Sequence, residues 1–597
     1  MPLIKKTIEM KKSLYIFFIL TVSVLYSCNS RVIPDITVPE LKSHLEVLAG
    51  DELKGRYPGT AEDSVLLNYI STEFKSYGLA FYSSNGIQRY DYISDSKKGE
   101  ANTLVVNGLQ AKQETDFMPF SFSSNTEITA PAVFAGYGFD FKNDTIIRND
   151  YSEIDVKGKW VLIFRGNPFP ADKANAYTTF EKDRDKVMMA KDKGAAGVLL
   201  VSGNKYDSAD ELNAMAINSP DVGIPCFQIT RVLADKIVSA SGISTSDLEN
   251  KMFQNNTVKS FSTSNQVTGK SDVVQQKTLT GNVIAYLKGS NPAFAEKYVL
   301  IGAHHDHLGM GGPESSSRNP DTIAVHHGAD DNASGVSAVL EIAEKFSNLK
   351  PGRSIIFATF GAEEKGLIGS KYFTDNCPVP IENIELMINL DMIGRLADSS
   401  LQIGGVGTSP EFKSVLQDLG RNYPFKSNIS EAGYGPSDHA AFYAKDKPVL
   451  FFTTGAHQDY HTPNDKVEYI NFEGIKDISS YVTDLALFFA NEETGLTFQE
   501  AGPKESTSGR YRGKITFGIM PDVTSEGNNG LKVLAVTEGK PAASAGMKKG
   551  DIITAIDNKS VGNIQDYMFR LGQLKSGDRV VVTINRNSTR LELLVQL

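Results

Sequence analysis

The sequence predicts an α/β protein, a mixed, largely parallel sheet flanked by helices, with a β-rich domain inserted into it and a small β domain at the C-terminus. Two observations carry this expectation. Four apolar runs, 298–303, 354–360, 385–390 and 448–454, read as strands buried on both faces, the pattern of parallel sheets. Each is followed within a few residues by a short cluster of His, Asp or Glu, and ligands of open α/β sheets gather beyond the carboxyl ends of the strands. The clusters are His304-His305-Asp306, Glu363-Glu364, Asn389-Leu390-Asp391-Met392 and Tyr460-His461-Thr462, joined by Gly328-Ala329-Asp330-Asp331-Asn332-Ala333-Ser334-Gly335 at the head of a helical stretch.

In chain order, residues 1–27 read as a signal peptide. Lys5, Lys6, Lys11 and Lys12 precede an apolar stretch, 14–26, too short for a membrane span and right for a signal core. Its ending, Leu25-Tyr26-Ser27-Cys28, resembles a bacterial lipobox, which makes Cys28 the lipidation site. The expected location is then the cell envelope, outside the cytoplasm, with the chain lipid-anchored to a bacterial membrane. Only Cys226 and Cys377 follow, so there is no disulfide framework, and both are read as buried thiols.

Residues 28–125 form the N-terminal part of the main domain. Within it 41–79 reads as two amphipathic helices, broken where Gly55, Pro58 and Gly59 interrupt the pattern. From 126 to 264 the texture changes to short strands and turns, with one helix-to-strand step across 186–201. The sheet pattern resumes in 265–490, a polar linker occupies 491–512, and 513–597 is a separate β domain. A chain of 597 residues exceeds one ordinary core, consistent with about three domains. The balance of 61 basic and 71 acidic residues, without a basic block beyond the N-terminus, argues against a nucleic-acid partner.

The clusters have the chemistry of a two-metal site. Two zinc ions bring four positive charges, and Asp331, Glu364 and Asp391 offset three of them. His304 and His461 complete an oxygen and nitrogen donor set free of the thiolates typical of structural zinc. His304 and Asp306 lie two apart at a strand end and share a face, which lets Asp306 orient the imidazole. Ser334 is the expected cap of a helix whose apolar face is Val336, Val339, Leu340, Ala343 and Phe346. Adjacent Glu363 and Glu364 point apart, so one can hold metal while the other acts as a base. On the residues alone Asp330 competes with Asp331, and the register of the following Asn-Ala-Ser-Gly leans to Asp331 without deciding between them. Eight of the nine histidines fall between His304 and His461, and His305 and His307 are read as walls of the site. Gly404-Gly405-Val406-Gly407 lacks dinucleotide-binding spacing and is read as a turn.

From His304 to His461 these motifs, in this order, resemble the co-catalytic di-zinc aminopeptidases, the family of bacterial leucyl aminopeptidases and transferrin-receptor-like exopeptidases. The 51–60 run resembles that family's N-terminal helical segment, 126–264 a protease-associated (PA) domain, and 513–597 a bacterial type of PDZ domain. The resemblance implies Zn2+, two per chain, bridged by Asp331, with His304 and Asp391 on one ion and Glu364 and His461 on the other. It makes Glu363 the catalytic acid/base, implies a cis Asp331–Asn332 peptide, and sets Ser437, Asp438 and His439 beside the substrate pocket. Ser437-Asp438-His439 lacks the glycine pattern of a serine nucleophile elbow. The implied substrates are peptides cleaved at their N-terminus. A single-zinc glutaminyl cyclase and a non-catalytic peptide-binding protein are the rival readings. The PDZ-like segment reads either as a binder of a partner's C-terminus, by strand addition beside Thr516-Phe517-Gly518-Ile519, or as a packing module.

Overall fold

The computed structural model describes residues 35–597 except 143–145, 173–174, 216–218, 256–258, 314, 398, 503–514 and 522–528. The expected signal segment, Cys28 and about half of the 491–512 linker therefore lie outside the described residues.

The four apolar runs form the centre of a nine-stranded sheet as neighbouring parallel strands, in the order Ser354–Phe360, Tyr298–His304, Ile384–Leu390 and Val449–Thr453. Every residue of the first two is buried, which explains why they carry no polar alternation. Register sets where the polar clusters emerge. His304 pairs with Phe360 and Gly302 with Asn389, so the residues just beyond each strand leave the sheet along one edge. Antiparallel strands complete the sheet on both sides. Val273–Leu287 pairs with Ser354–Phe360 and with Ile87–Lys98, and Ser400–Gly404 pairs with Val449–Thr453.

One face is covered by the helices Val38–Leu48, Ala61–Ser76, Gly335–Ser347 and Phe472–Asn491, whose apolar residues share a single cluster with the strands. The other carries Ile368–Asp375 and His439–Tyr443. The first two helices begin at Thr37 and Thr60, whose hydroxyls accept from the backbone amides of Glu40 and Asp63. Between them the chain passes through left-handed conformations at Lys54, Gly55 and Arg56. A Cβ on Gly55 would lie 2.4 Å from the carbonyl oxygen of Gly309, so this approach requires glycine.

The inserted domain is an eight-stranded sheet running from Thr103–Val106 to Phe261–Lys270, wider than the 126–264 span read from texture because strands within 103–119 pair into its edges. Its centre is the parallel set Glu127–Phe134, Trp160–Phe164, Gly197–Val201 and Cys226–Ile229. The third sheet lies within 519–596 and packs the helices Pro541–Ser544 and Ile564–Leu571. Cys226 is buried, Cys377 half-buried, and both are free thiols. Among the described residues no helix is long and apolar enough to cross a membrane.

Candidate metal centre

The edge of the parallel sheet assembles two groups of ligand-type side chains around Asp331. On one side His304 Nε2 lies 3.2 Å from Asp331 Oδ1 and 3.3 Å from Asp391 Oδ1. On the other, His461 Nε2 lies 3.2 Å from Asp331 Oδ2 and 3.2 Å from Glu364 Oε2. Each imidazole is turned by its other nitrogen: His304 Nδ1 faces the carbonyl of Asp306 at 3.2 Å and His461 Nδ1 that of Ser316 at 3.0 Å. A ring that donates from Nδ1 to a carbonyl presents an Nε2 lone pair, the orientation usual for a histidine holding a metal. Thus one carboxylate is shared, oxygen by oxygen, between two His/carboxylate pairs.

His307 joins the second group. Its Nδ1 lies 2.8 Å from Glu364 Oε1 and 3.8 Å from Asp331 Oδ2, so His307, Asp331 and Glu364 also form a set able to hold a metal. His305 instead faces the Thr359 hydroxyl at 3.0 Å, and burial, reinforced by His304 and Arg56, pushes it down to about 3, which keeps it neutral.

The loop before the Gly335–Ser347 helix separates the two adjacent aspartates. The Asp331–Asn332 peptide is cis, and Asp331 turns into the site. Asp330 turns the other way, accepting from the Gly394 amide at 2.6 Å and lying 3.2 Å from His457 Nε2. Ser334 does not cap the helix: its hydroxyl donates to the Asp330 carbonyl at 2.7 Å. Asn332 does that work, its Oδ1 accepting from the Gly335 amide at 3.0 Å and its Nδ2 donating to the Leu390 carbonyl at 2.9 Å. The helix start is thereby tied to the strand end that carries Asp391.

Asp306 also differs from expectation. Its carboxylate is 3.8 Å from His304 Nδ1, beyond hydrogen-bond reach, and accepts instead from the backbone amides of Glu363 at 2.9 Å and Glu364 at 3.3 Å. It therefore positions the two glutamates, while the Asp306 carbonyl orients the imidazole. Burial pushes the Asp306 carboxyl up to about 7, His304 opposing and Glu364 adding to the shift. Glu363 is held well above the usual carboxylate range by burial and by Glu364, Asp438 and Asp391, against the pull of His304.

Ser437, Asp438 and His439 are buried next to this centre. Asn389 Nδ2 donates to Ser437 Oγ at 2.7 Å, two residues ahead of Asp391. Burial pushes Asp438 up to about 6, with His304 opposing and Asp391 adding. His439 stacks on Phe451 with ring centroids 4.4 Å apart and is pushed down to about 3 by burial.

Two residues that sequence reasoning did not single out hold the site from beneath. The buried Arg56 donates to the carbonyls of Leu48, His305, His327 and Gly328 at 2.6–2.9 Å and reaches that of Asp331 at 3.4 Å. Asp465 accepts from the backbone amides of Asp330 and Asp331 at 2.8 and 3.0 Å and pairs with Arg395 at 3.1 Å. The signals available were the 51–60 run for Arg56 and proximity to His461 for Asp465.

Residues 282–486 match peptidase family M28, 107–237 the PA domain and 507–597 the PDZ domain. Among curated proteins, aminopeptidase YwaD of Bacillus subtilis (strain 168) is 26% identical over 368 residues, 60% of this chain and 66% of the relative. An aminopeptidase of Pseudomonas aeruginosa (strain UCBPP-PA14) is 31% identical over 301 residues, 50% of this chain and 46% of the relative. The chain thus covers less than two thirds of the length of these relatives. The solved aminopeptidase from Aneurinibacillus sp. strain AM-1 aligns over 78% of this chain and 96% of its own, at 24% identity and a TM-score of 0.44. The segment 282–486 is a peptidase family M28 domain, carried in this chain between a PA domain and a PDZ domain.

Proposed function

We propose that this protein is a zinc-dependent aminopeptidase that removes N-terminal residues from peptides, tethered through lipidated Cys28 to a membrane of a bacterial cell envelope. The observation that carries the activity is the sharing of the two Asp331 oxygens between His304/Asp391 and His461/Glu364. That donor set fits zinc: nitrogen and carboxylate oxygen only, each imidazole turned by a carbonyl behind it. His304 and Asp391 would hold one ion, Glu364 and His461 the other, and Asp331 both. Bound there, a metal pair supplies Lewis acidity, lowering the pKa of water and polarising the scissile carbonyl.

The protein's own proton carrier is Glu363. Fixed next to Glu364 and the His304/Asp391 pair, it is placed to take the proton of the attacking water and return it to the leaving amine. Asp306 fixes the carrier by gripping the Glu363 and Glu364 amides, so the proton-moving and metal-holding carboxylates keep a constant offset. The substrate's free amine is assigned to the Asp391 side, with Ser437, Asp438 and His439 forming the wall there. The named activity of the curated relatives supports the reading. The tether rests on Leu25-Tyr26-Ser27-Cys28 behind the lysine-flanked apolar run, and a partner's C-terminal carboxylate is the proposed ligand of the PDZ domain.

A panel of aminoacyl amides and dipeptides, assayed with and without chelator, tests the activity. Hydrolysis of substrates with a free amino terminus, lost on chelation and restored by zinc, is expected. Turnover in metal-free protein would refute it. One zinc per chain together with loss of ammonia from N-terminal glutamine would identify a cyclase instead.

A further inference from the structure

The PDZ domain touches both other domains, and it is held to the PA domain by charged groups that are themselves buried. On its Ile564–Leu571 helix, Asp566, 1% exposed, lies 2.6 Å from Arg184 Nη2, and Arg570, 2% exposed, grips both oxygens of Asp192 at 2.5 and 2.9 Å. Arg184 and Asp192 belong to the Asp183–Asp192 helix of the PA domain. Around these pairs the Ser219 hydroxyl donates to Gln565 Oε1 at 2.7 Å, Asn563 Nδ2 donates to the Asp221 carbonyl at 3.2 Å, and Phe569 packs on the cluster containing Met188 and Val222.

Asp566 and Arg570 stand four apart, on one face of their helix. Tyr567 turns instead to Phe517 inside the PDZ core, and Met568 stays exposed, so docking uses one face and leaves another open. Displacing one partner of a pair while the domains stay in contact strands a buried charge, a costly arrangement. The two pairs therefore hold the domain in one register.

Elsewhere on its surface the same domain touches the peptidase domain. Lys549 Nζ donates to the Ala444 carbonyl at 2.8 Å and lies 3.3 Å from Asp446, while Leu534 packs with Ala444 and Tyr434. These contacts fall on the segment 433–446, which contains Ser437, Asp438 and His439. Ser437 is the residue bonded to Asn389 at the strand end that leads to Asp391.

We infer that the PDZ domain is a positioning element of the peptidase: latched to the PA domain by Arg184–Asp566 and Asp192–Arg570, it braces the 433–446 segment and so sets the pocket wall beside Asp391 and Glu363. The brace belongs to the fold; only its kinetic consequence rests on the aminopeptidase reading.

The test compares the full chain with R570E, D192K, the charge-swapped double variant R570E/D192K, and L534S, which leaves the latch intact. Three readouts are taken at matched zinc content: a carbodiimide cross-link between Lys549 and Asp446, amide hydrogen exchange across 433–446, and kcat and KM on a peptide substrate. Either single charge reversal is expected to abolish the cross-link, speed exchange in 433–446 and raise KM by roughly tenfold, the size of coupling that contacting groups show, with the double variant restoring all three. L534S should speed exchange and raise KM with the PA latch unbroken. Absence of the cross-link in the natural sequence would overturn the docking. Loss of the cross-link in the single variants with exchange in 433–446 unchanged would overturn the bracing. A chain that cross-links and shows the exchange pattern yet cleaves no peptide would remove the aminopeptidase reading and leave the brace standing.

Discussion

Replacing Arg56 by Met isolates what a buried guanidinium contributes beneath the candidate metal centre. The side chain donates four hydrogen bonds to carbonyls of three separate segments: Leu48 at 2.7 Å, His305 at 2.9 Å, and His327 with Gly328 at 2.6 and 2.9 Å. Burial pushes its pKa down to about 10, opposed by Asp331 and Asp465, so it remains charged at neutral pH. A bond to a charged donor is worth about 1.5–3 kcal/mol, which gives roughly 6–12 kcal/mol gross for four. Desolvating the cation removes several kcal/mol of that. The net loss expected is about 3–5 kcal/mol, the upper range for a single substitution, because Met fills the volume but leaves buried carbonyls unpaired. For a domain of this size that corresponds to a fall of roughly 6–20 °C in melting temperature. Differential scanning calorimetry of the full chain measures it, following the transition of the peptidase domain. Arg56→Lys should fall between, since an ammonium keeps the charge but lacks the planar fork that reaches three segments. A melting temperature within a degree of the natural sequence for Arg56→Met, or Arg56→Lys indistinguishable from Arg, would refute the reasoning.

Glu363→Gln should lower kcat by roughly 10²–10⁴ with zinc content unchanged, since the amide cannot carry the proton. Glu364→Gln should weaken one metal site and recover part of its activity in excess zinc; reversed outcomes would exchange the two roles. In the PA domain, Lys186 is buried and donates to the Phe164 carbonyl at 2.8 Å, and burial pushes its pKa down to about 7, with Asp183 opposing. Because the unfolded chain holds this proton up to its ordinary pKa near 10.5 while the folded chain releases it near 7, stability from this group rises with pH across that window. Lys186→Met should flatten the rise in PA-domain melting temperature between pH 7 and 10 (roughly the window between those two values), and a slope identical in both chains would rule the assignment out. Cys28→Ala should abolish labelling by a fatty-acid analogue and leave an uncleaved precursor, whereas persistent labelling would remove the lipoprotein reading.

Much of the framework was legible without coordinates. The strand Ser354–Phe360 shows no polar alternation because a parallel strand covered on both faces has no solvent side to record, and Ile384–Leu390 follows the same pattern apart from half-buried Glu385 near its start and Asn389 near its end. The clusters carrying His304, Asp331, Glu364, Asp391 and His461 stood out because few side-chain types are able to hold a metal, and the fold brings these residues together as a candidate site. What only the tertiary structure decided depends on groups whose partners lie far away in the chain. Asp330 and Asp331 are chemically identical in sequence, and the choice falls to Gly394 and His457, which claim Asp330 and leave Asp331 facing the site. Asp306 reads as a partner for His304 two residues away, yet the fold brings the Glu363 and Glu364 amides closer. Arg56 works through carbonyls, which every residue possesses, so no side-chain pattern marks where it binds. The seating of the PDZ domain is the extreme case, since Asp192 and Arg570 are 378 positions apart and meet only when both domains are folded. Local pattern records which face of an element is buried and which chemistry is available; it does not record which distant backbone group arrives to complete a hydrogen bond.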